Sequence, residues 1–240
     1  MYFSLNKTRQ YLSELATRVG SHPAVVSGDV QVLIFPGFVS LAECESLLGH
    51  TAIMWGGQDV HWEPAGAYTG EVSILELVDA GCKSVEIGHK ERIEIFGETP
   101  DQIAKKVAVC LAHDVTPLVC IGEKNQVDPA QAAAECMGQV ADYTSLARAE
   151  GHTGNILYAY EPYWAIGAAE AAPPEYVMAV AGLIRDRLDP ADGNLLIYGG
   201  TAGPGLLPEV YPAVGGLFLG RNSHDVGNVV TVVDEASRLR

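Results

Sequence analysis

The sequence predicts an α/β fold, a parallel sheet with crossover helices, and three observations carry that reading. Seven short apolar runs rich in β-branched and aromatic residues recur along the 240 residues, with helical patterns between them. The runs show little polar interruption, which fits strands buried on both faces. Nothing Pro/Ser-rich or charge-dense marks a boundary, so residues 1–240 read as one domain. The length suits one α/β barrel or two smaller domains, and 48% hydrophobic content can fill a large core.

The pattern opens with a helix. Tyr11, Leu12, Leu15, Ala16 and Val19 fall on one face of TRQYLSELATRV, and the MYFSL ahead of it is too short for a strand and its loop. The strand-like runs follow: VQVLIFP at 30–36, AIMWGGQDV at 52–60, SVEIGH at 84–89 and TPLVCIGE at 116–123. NILYAYEP at 155–162, NLLIYGGT at 194–201 and GGLFLGR at 215–221 complete the seven. Helix starts stand between them. Ser40 with Glu43 reads as a capping box before LAECESLL, and Thr99 with Gln102 repeats it with Pro100 at the first helical position. Asp128-Pro129 and Pro173-Pro174-Glu175 open two more helices. A closed eight-strand barrel built from these runs would lack its first strand.

Composition narrows the function. A formal charge of −15 argues against nucleic acid and anionic membranes as partners, and an anionic substrate would need a local cationic or amide-lined site. Cys44, Cys82, Cys110, Cys120 and Cys136 form an odd count without CxxC pairs and read as reduced thiols. No run approaches the length of a membrane span, and the first residues lack a signal pattern, so the expected location is the cytoplasm.

In a parallel α/β barrel the chemistry gathers where the strands end. Those ends carry Gln58-Asp59, Gly88-His89-Lys90-Glu91-Arg92, Gly122-Glu123, Glu161, Gly199-Gly200-Thr201 and Gly220-Arg221. Singly, each has an ordinary reading: a satisfied histidine, a Glu91–Arg92 ion pair, a tight glycine turn. Glycine also lets a phosphate approach backbone N–H groups.

In order and spacing, YAYEPYWAIG, IGHKERIEIFGET, VCIGEK, IYGGT and GLFLG resemble the triosephosphate isomerase family from about residue 30 onward. The resemblance implies a TIM (β/α)8-type barrel and a ketose–aldose isomerase of a small phosphorylated sugar, working through an enediolate without metal or cofactor. It makes Glu161 the base that carries a proton between adjacent carbons and His89 the neutral electrophile. Glu91 would pair with a neighbouring cation and shape the site. Residues 162–167 match a lid that closes over the phosphate and excludes water. Gly167, Thr201 and Gly220 would offer backbone donors to the phosphate.

Departures from the family pattern bear on the substrate. The Asn-x-Lys that ends the family's first strand has no counterpart: either SLNKT replaces it, with Ser4 where the lysine belongs, or the lysine precedes Met1 and the chain begins one strand late. Lys7 is then the lysine of the first helix. The lid's far hinge is AAEAA at 168–172, which puts Glu170 near the phosphate. Lys90 beside His89 would lower the histidine's pKa or replace part of the lost charge. Arg221 stands where the family has a second glycine and could clamp a phosphate. GLFLGR is more similar to the erythrulose-phosphate branch than to the glycolytic enzyme. The alternatives are therefore a tetrose-phosphate isomerase, or a catalytically impaired homologue that only binds phosphate. Aldol or lyase chemistry would need a Schiff-base lysine on a strand, and no strand run contains one.

Residues 58–73, QDVHWEPAGAYTGEVS, resemble the family's dimerisation loop. Trp62 and Tyr68 would be costly to expose singly, so the expectation is a homodimer. Open edges of a sheet lacking its first strand would also invite pairing with another chain.

Overall fold

Helix α1 (Leu5–Arg18) begins where the opening residues supply a cap: Ser4 is extended, and its hydroxyl accepts from the Lys7 amide at 3.3 Å. The computed structural model describes residues 1–166, 171–188 and 193–239. The face of α1 that its spacing marks is the one that packs, with Leu12, Leu15, Ala16 and Val19 buried and Tyr11 against the same core. A short α2 (Pro23–Val26) follows.

Six strands then pair in chain order as one parallel sheet: β1 (Leu33–Ile34), β2 (Met54–Gly57), β3 (Ser84–Ile87), β4 (Thr116–Ile121), β5 (Leu157–Tyr160) and β6 (Leu195–Tyr198). Helices α3 (Leu41–Leu48), α4 (Ile74–Asp79), α5 (Lys90–Phe96), α6 (Pro100–Ala112), α7 (Pro129–Glu150) and α8 (Pro174–Arg185) make the crossovers, and α9 (Leu207–Val210) and α10 (Val226–Arg238) close the chain. This is a TIM-barrel-type arrangement. The seventh run, 215–221, is reduced to one parallel bridge between Tyr198 and Leu217. Three of its seven residues are glycines, which offer no side chain to support pairing. Among the described residues no ladder joins that run to β1. The two ends of the sheet meet through rings instead, Phe35 and Phe218 lying 6.3 Å apart and edge-on.

Alternation along the strands divides the core in two. Val85, Ile87, Val119, Ile121, Tyr158, Tyr160, Leu196 and Tyr198 pack outward with the helices. Leu118, Cys120 and Ala159 form a separate inner cluster with Phe35, Leu157, Ile197 and Phe218. Glu161 continues the parity of Leu157 and Ala159, and Glu86 is in register with Leu118, so both carboxylates belong to the inner face.

The predicted capping box at Thr99 and Gln102 forms, with both reciprocal hydrogen bonds present. The one at Ser40 and Glu43 does not. Ser40 closes a 3-10 turn, Phe38–Ser40, in helical conformation and makes no cap bond. Glu43 instead accepts two hydrogen bonds from the Arg9 guanidinium, both at 2.7 Å, and ties α3 to α1. All five cysteines are free and buried. Among the described residues no helix is long and apolar enough to cross a membrane.

Candidate active site

Glu161 comes directly after β5, and its amide donates to the Ile121 carbonyl at 2.8 Å, so β4 still holds it in place. Gly122 permits that closeness: a Cβ there would lie 1.8 Å from the Glu161 carbonyl oxygen. The residue is 4% exposed, and its Oε2 has no hydrogen-bond partner among the described residues. Gly199 leaves room for the side chain, since a Cβ at that position would meet Glu161 Cγ at 2.6 Å. Burial pushes the Glu161 pKa up to about 8, against a hydrogen bond from the Cys120 thiol that favours the charged form. Burial also pushes the Cys120 thiol up, so it remains a donor.

His89 caps the N-terminus of α5, its Nδ1 accepting from the Glu91 amide at 3.3 Å. With that lone pair engaged, the proton of the neutral ring sits on Nε2. Nε2 lies 3.9 Å from Glu161 Oε2, beyond hydrogen-bond range, so the two groups face each other across a gap. Burial holds the His89 pKa below its usual value, Lys90 lowers it further and Glu91 works against both. The result is a base and a neutral N–H donor directed at the same place. Glu86 adds a second inner carboxyl, raised to about 8 by burial and then by the charge of Glu161.

The cation neighbours differ from the sequence reading. Glu91 does not pair with Arg92. It lies 3.9 Å from His89 Nδ1 and is otherwise largely exposed. Adjacent helical residues point in different directions, and Arg92 turns to Asp59 at 2.9 Å and to Glu98 at 3.9 Å. Buried Lys106 bonds the same two acids, Asp59 at 2.6 Å and Glu98 as well, so this cluster balances its own charge. Lys90 serves the lid base, donating from Nζ to the Tyr163 carbonyl at 2.8 Å.

That base is the 3-10 turn Tyr163–Ala165, which follows Pro162. Fully buried Glu123, at the end of the β4 run, fixes it. Its Oε1 accepts from Trp164 Nε1 at 2.8 Å, the Tyr176 hydroxyl at 3.0 Å and the Tyr160 hydroxyl at 3.2 Å. Its main-chain carbonyl accepts from the Tyr163 amide at 3.0 Å. Lid and strand ends are thus joined through one side chain.

Gly167 and Glu170 lie outside the described residues. Thr201 follows β6 on an exposed loop, and Gly220 and Arg221 are exposed after the bridged run. Asn222 joins these two loops: its Nδ2 donates to the Ala202 carbonyl at 2.7 Å, and Asn228 Nδ2 donates to the Asn222 carbonyl at 3.0 Å. The structure therefore gathers His89, Lys90, Glu91 and Glu161 at one place, and brings Thr201, Gly220 and Arg221 together on a second pair of tied loops. Sequence reasoning missed Cys120, Glu86 and Asn222. The period of two already put Cys120 and Glu86 on the inner face, whereas no local pattern marks Asn222. Among the described residues no group of three or more His, Cys, Asp or Glu is placed to hold a metal ion.

A family model described as triosephosphate isomerase matches residues 1–236. The chain is similar to the L-erythrulose-1-phosphate isomerase of Pectobacterium atrosepticum, 38% identical over 242 residues that cover 100% of this chain and 93% of that protein. It is also similar to the triosephosphate isomerase of Roseiflexus castenholzii, 35% identical over 97% of this chain and 93% of that protein. The protein of Mesorhizobium japonicum named L-erythrulose-1-phosphate isomerase is 33% identical over 98% of this chain and 95% of its own length. The buried acid facing a neutral histidine, the lid base and the full-length matches agree: the chain belongs to the triosephosphate isomerase family.

Proposed function

We propose that the protein is a phosphosugar isomerase whose substrate is a tetrose phosphate of the L-erythrulose 1-phosphate type, with Glu161 as base and His89 as electrophile. The observation that carries it is the gap of 3.9 Å between His89 Nε2 and Glu161 Oε2, the second of which has no other partner among the described residues. A substrate placed there would lose a carbon-bound proton to Glu161 while its carbonyl oxygen accepts from His89 as negative charge develops. In L-erythrulose 1-phosphate the ester occupies C1, so C3 is the one hydroxyl-bearing neighbour of the C2 carbonyl. The proton leaves C3, the enediolate spans C2 and C3, and reprotonation at C2 leaves a ketose. On a triose phosphate the same step gives the ketose–aldose exchange.

Thr201, Gly220 and Arg221 bind the phosphate in this reading, and Lys90 and Glu91 support His89. The triose reading is kept by the similarity to the Roseiflexus protein. Proton NMR in deuterated buffer separates the outcomes. Loss of the C3 proton of L-erythrulose 1-phosphate, faster than exchange in dihydroxyacetone phosphate, is the expected result. The reverse order selects the triose, and no enzyme-dependent exchange in either leaves a phosphate-binding homologue.

We also propose a cytoplasmic homodimer assembled through residues 58–73. His61 stacks on Trp62 at 4.3 Å and meets Tyr68 at 4.1 Å, a preformed aromatic knob. Tyr68, Ile95 and Phe96 remain exposed, apolar area that a second subunit would cover. Light scattering on the wild type and on a Tyr68→Asp, Phe96→Asp double variant tests it. A monomeric wild type refutes it.

A further inference from the structure

The proton-transfer steps use Glu161 and leave the second inner carboxyl, Glu86, without a task. Glu86 lies within β3, three residues before His89, and its register with Leu118 sets it on the inner face. Among the described residues it makes no hydrogen bond and no ion pair. The barrel encloses it without sealing it: Ser84, the inner residue below, and Leu118 beside it are each 1% exposed, whereas Glu86 stays partly exposed. The next inner position toward the site is Gly88, level with Cys120, so no side chain of its own strand covers the carboxyl there. Solvent thus reaches Glu86 from the end of the barrel that holds His89 and Glu161.

Its chemistry suits an alcohol. Burial, and then the charges of Glu161, Glu91 and Asp59, raise Glu86 to about 8, and every charged neighbour that shifts it is an acid. At neutral pH it is mainly the uncharged acid, which offers one O–H donor and free acceptor capacity and puts no second negative charge beside an enediolate.

A tetrose phosphate of the kind named above differs from a triose phosphate at one place. With the ester on C1, the carbonyl at C2 and the proton leaving C3, the added CH2OH hangs from C3, on the far side of the reacting carbons from the ester. The ester end lies at the loops after β6 and the 215–221 run, and in sheet order β4, β5 and β6 separate β3 from that run. The added carbon therefore faces the wall that carries Glu86. Resting on that tetrose reading, we propose that Glu86 is the specificity residue for the fourth carbon, its carboxyl hydrogen-bonding the C4 hydroxyl from beneath His89.

Titration calorimetry of the full chain with two polyol phosphates, which lack a carbonyl and cannot turn over, tests it. One is glycerol 3-phosphate, and the other is the pair of tetritol 1-phosphates made by reducing L-erythrulose 1-phosphate. Wild type binds the four-carbon ligand about tenfold more tightly, as one added hydrogen bond allows. Glu86→Leu, which keeps the bulk and removes the polar group, brings the two affinities to within about twofold, while Glu86→Gln, still a neutral donor and acceptor, keeps a preference of about threefold or more. In exchange kinetics, the ratio of kcat/KM for L-erythrulose 1-phosphate over dihydroxyacetone phosphate falls in Glu86→Leu by about the factor lost in binding. Equal affinities in the wild type overturn the assignment, and so does a leucine variant that keeps the full preference or a glutamine variant that loses as much as leucine. A preference that Glu86→Leu abolishes, in a wild type that exchanges no proton in either sugar phosphate, upholds Glu86 and refutes the isomerase reading alone. Exchange in the triose phosphate with equal polyol affinities refutes the role of Glu86 and leaves the isomerase standing.

Discussion

Two buried glutamates a few ångströms of sheet apart show how one residue type is set to opposite uses. Glu123 is fully buried and receives two hydroxyls and an indole N–H on one oxygen. Glu161 is almost as buried, and although each residue holds one oxygen with no partner among the described residues, the only side-chain donor that stabilises the charge of Glu161 is the Cys120 thiol. In both, burial raises the pKa, but at Glu123 the hydrogen bonds from Trp164, Tyr176 and Tyr160 oppose it, whereas Glu161 has the Cys120 thiol and ends at about 8. Donors stabilise a carboxylate as a fixed acceptor, and their scarcity leaves it ready to take a proton. Position in the chain distinguishes the two poorly, as both follow a strand. The neighbours decide.

The largest effect expected from this contrast is on chemistry. Glu161→Gln reduces the proton-exchange rate by about 10²–10⁴-fold, whereas Glu123→Gln reduces it by about tenfold or less through lid placement. Equal losses measured by exchange NMR would erase the distinction.

Next comes pH. The base acts when ionised, so kcat/KM climbs through an apparent pKa near 8 that Glu86 shares, both carboxyls being raised to about 8. Stability runs the other way. A folded-state pKa above the unfolded value gives a contribution that is whole below pH 4.5 and is lost as pH rises toward 8. Glu161→Gln removes its share of that loss, and denaturant melts at pH 5 and pH 8 should then differ by about 2–4 kcal/mol less than in wild type. A variant with the same pH slope as wild type would contradict the raised pKa.

Glu123→Gln tests the other side. Three donors lose a charged acceptor, which lowers stability by about 1–3 kcal/mol at pH 7, while Trp164→Phe, losing one donor, costs about 1 kcal/mol. The smallest expected effect is that of Asn222→Ala, which frees the 199–203 loop from the 220–224 turn. It raises KM about threefold with little change in melting temperature, as a single net hydrogen bond would. A Michaelis analysis in which kcat falls and KM stays fixed would move Asn222 out of the binding loops.

The fold was legible because its signals are local. The inward face of α1, the cap at Thr99 and the alternation that aims Glu161 inward each depend on residues within one or two turns. The failures occurred where a distant group competes. Glu43 left its expected cap for Arg9, a residue 34 positions away, and Arg92 passed over adjacent Glu91 for Asp59. Charged side chains reach far enough that proximity in sequence does not choose their partners. The site was legible in its polar strand ends, yet the clamp on the lid was not: Gly122-Glu123 stands out in the sequence, but the donors on Glu123 come from residues 37 to 53 positions away from it. The run at 215–221 has the apolar residues of a strand, but its glycines leave it a single bridge.

Gly122 sets the spacing between β4 and the residue that carries the base, since any β-carbon there would fall 1.8 Å from the Glu161 carbonyl. The location of the base is thus gauged by its neighbour strand as well as by its own. A methyl group at 122 would act as a shim, displacing the main chain of Glu161 and with it the carboxylate, while leaving the chemical identity of every group in the site unchanged. Reach, separated from chemical identity, becomes an adjustable quantity at a single codon.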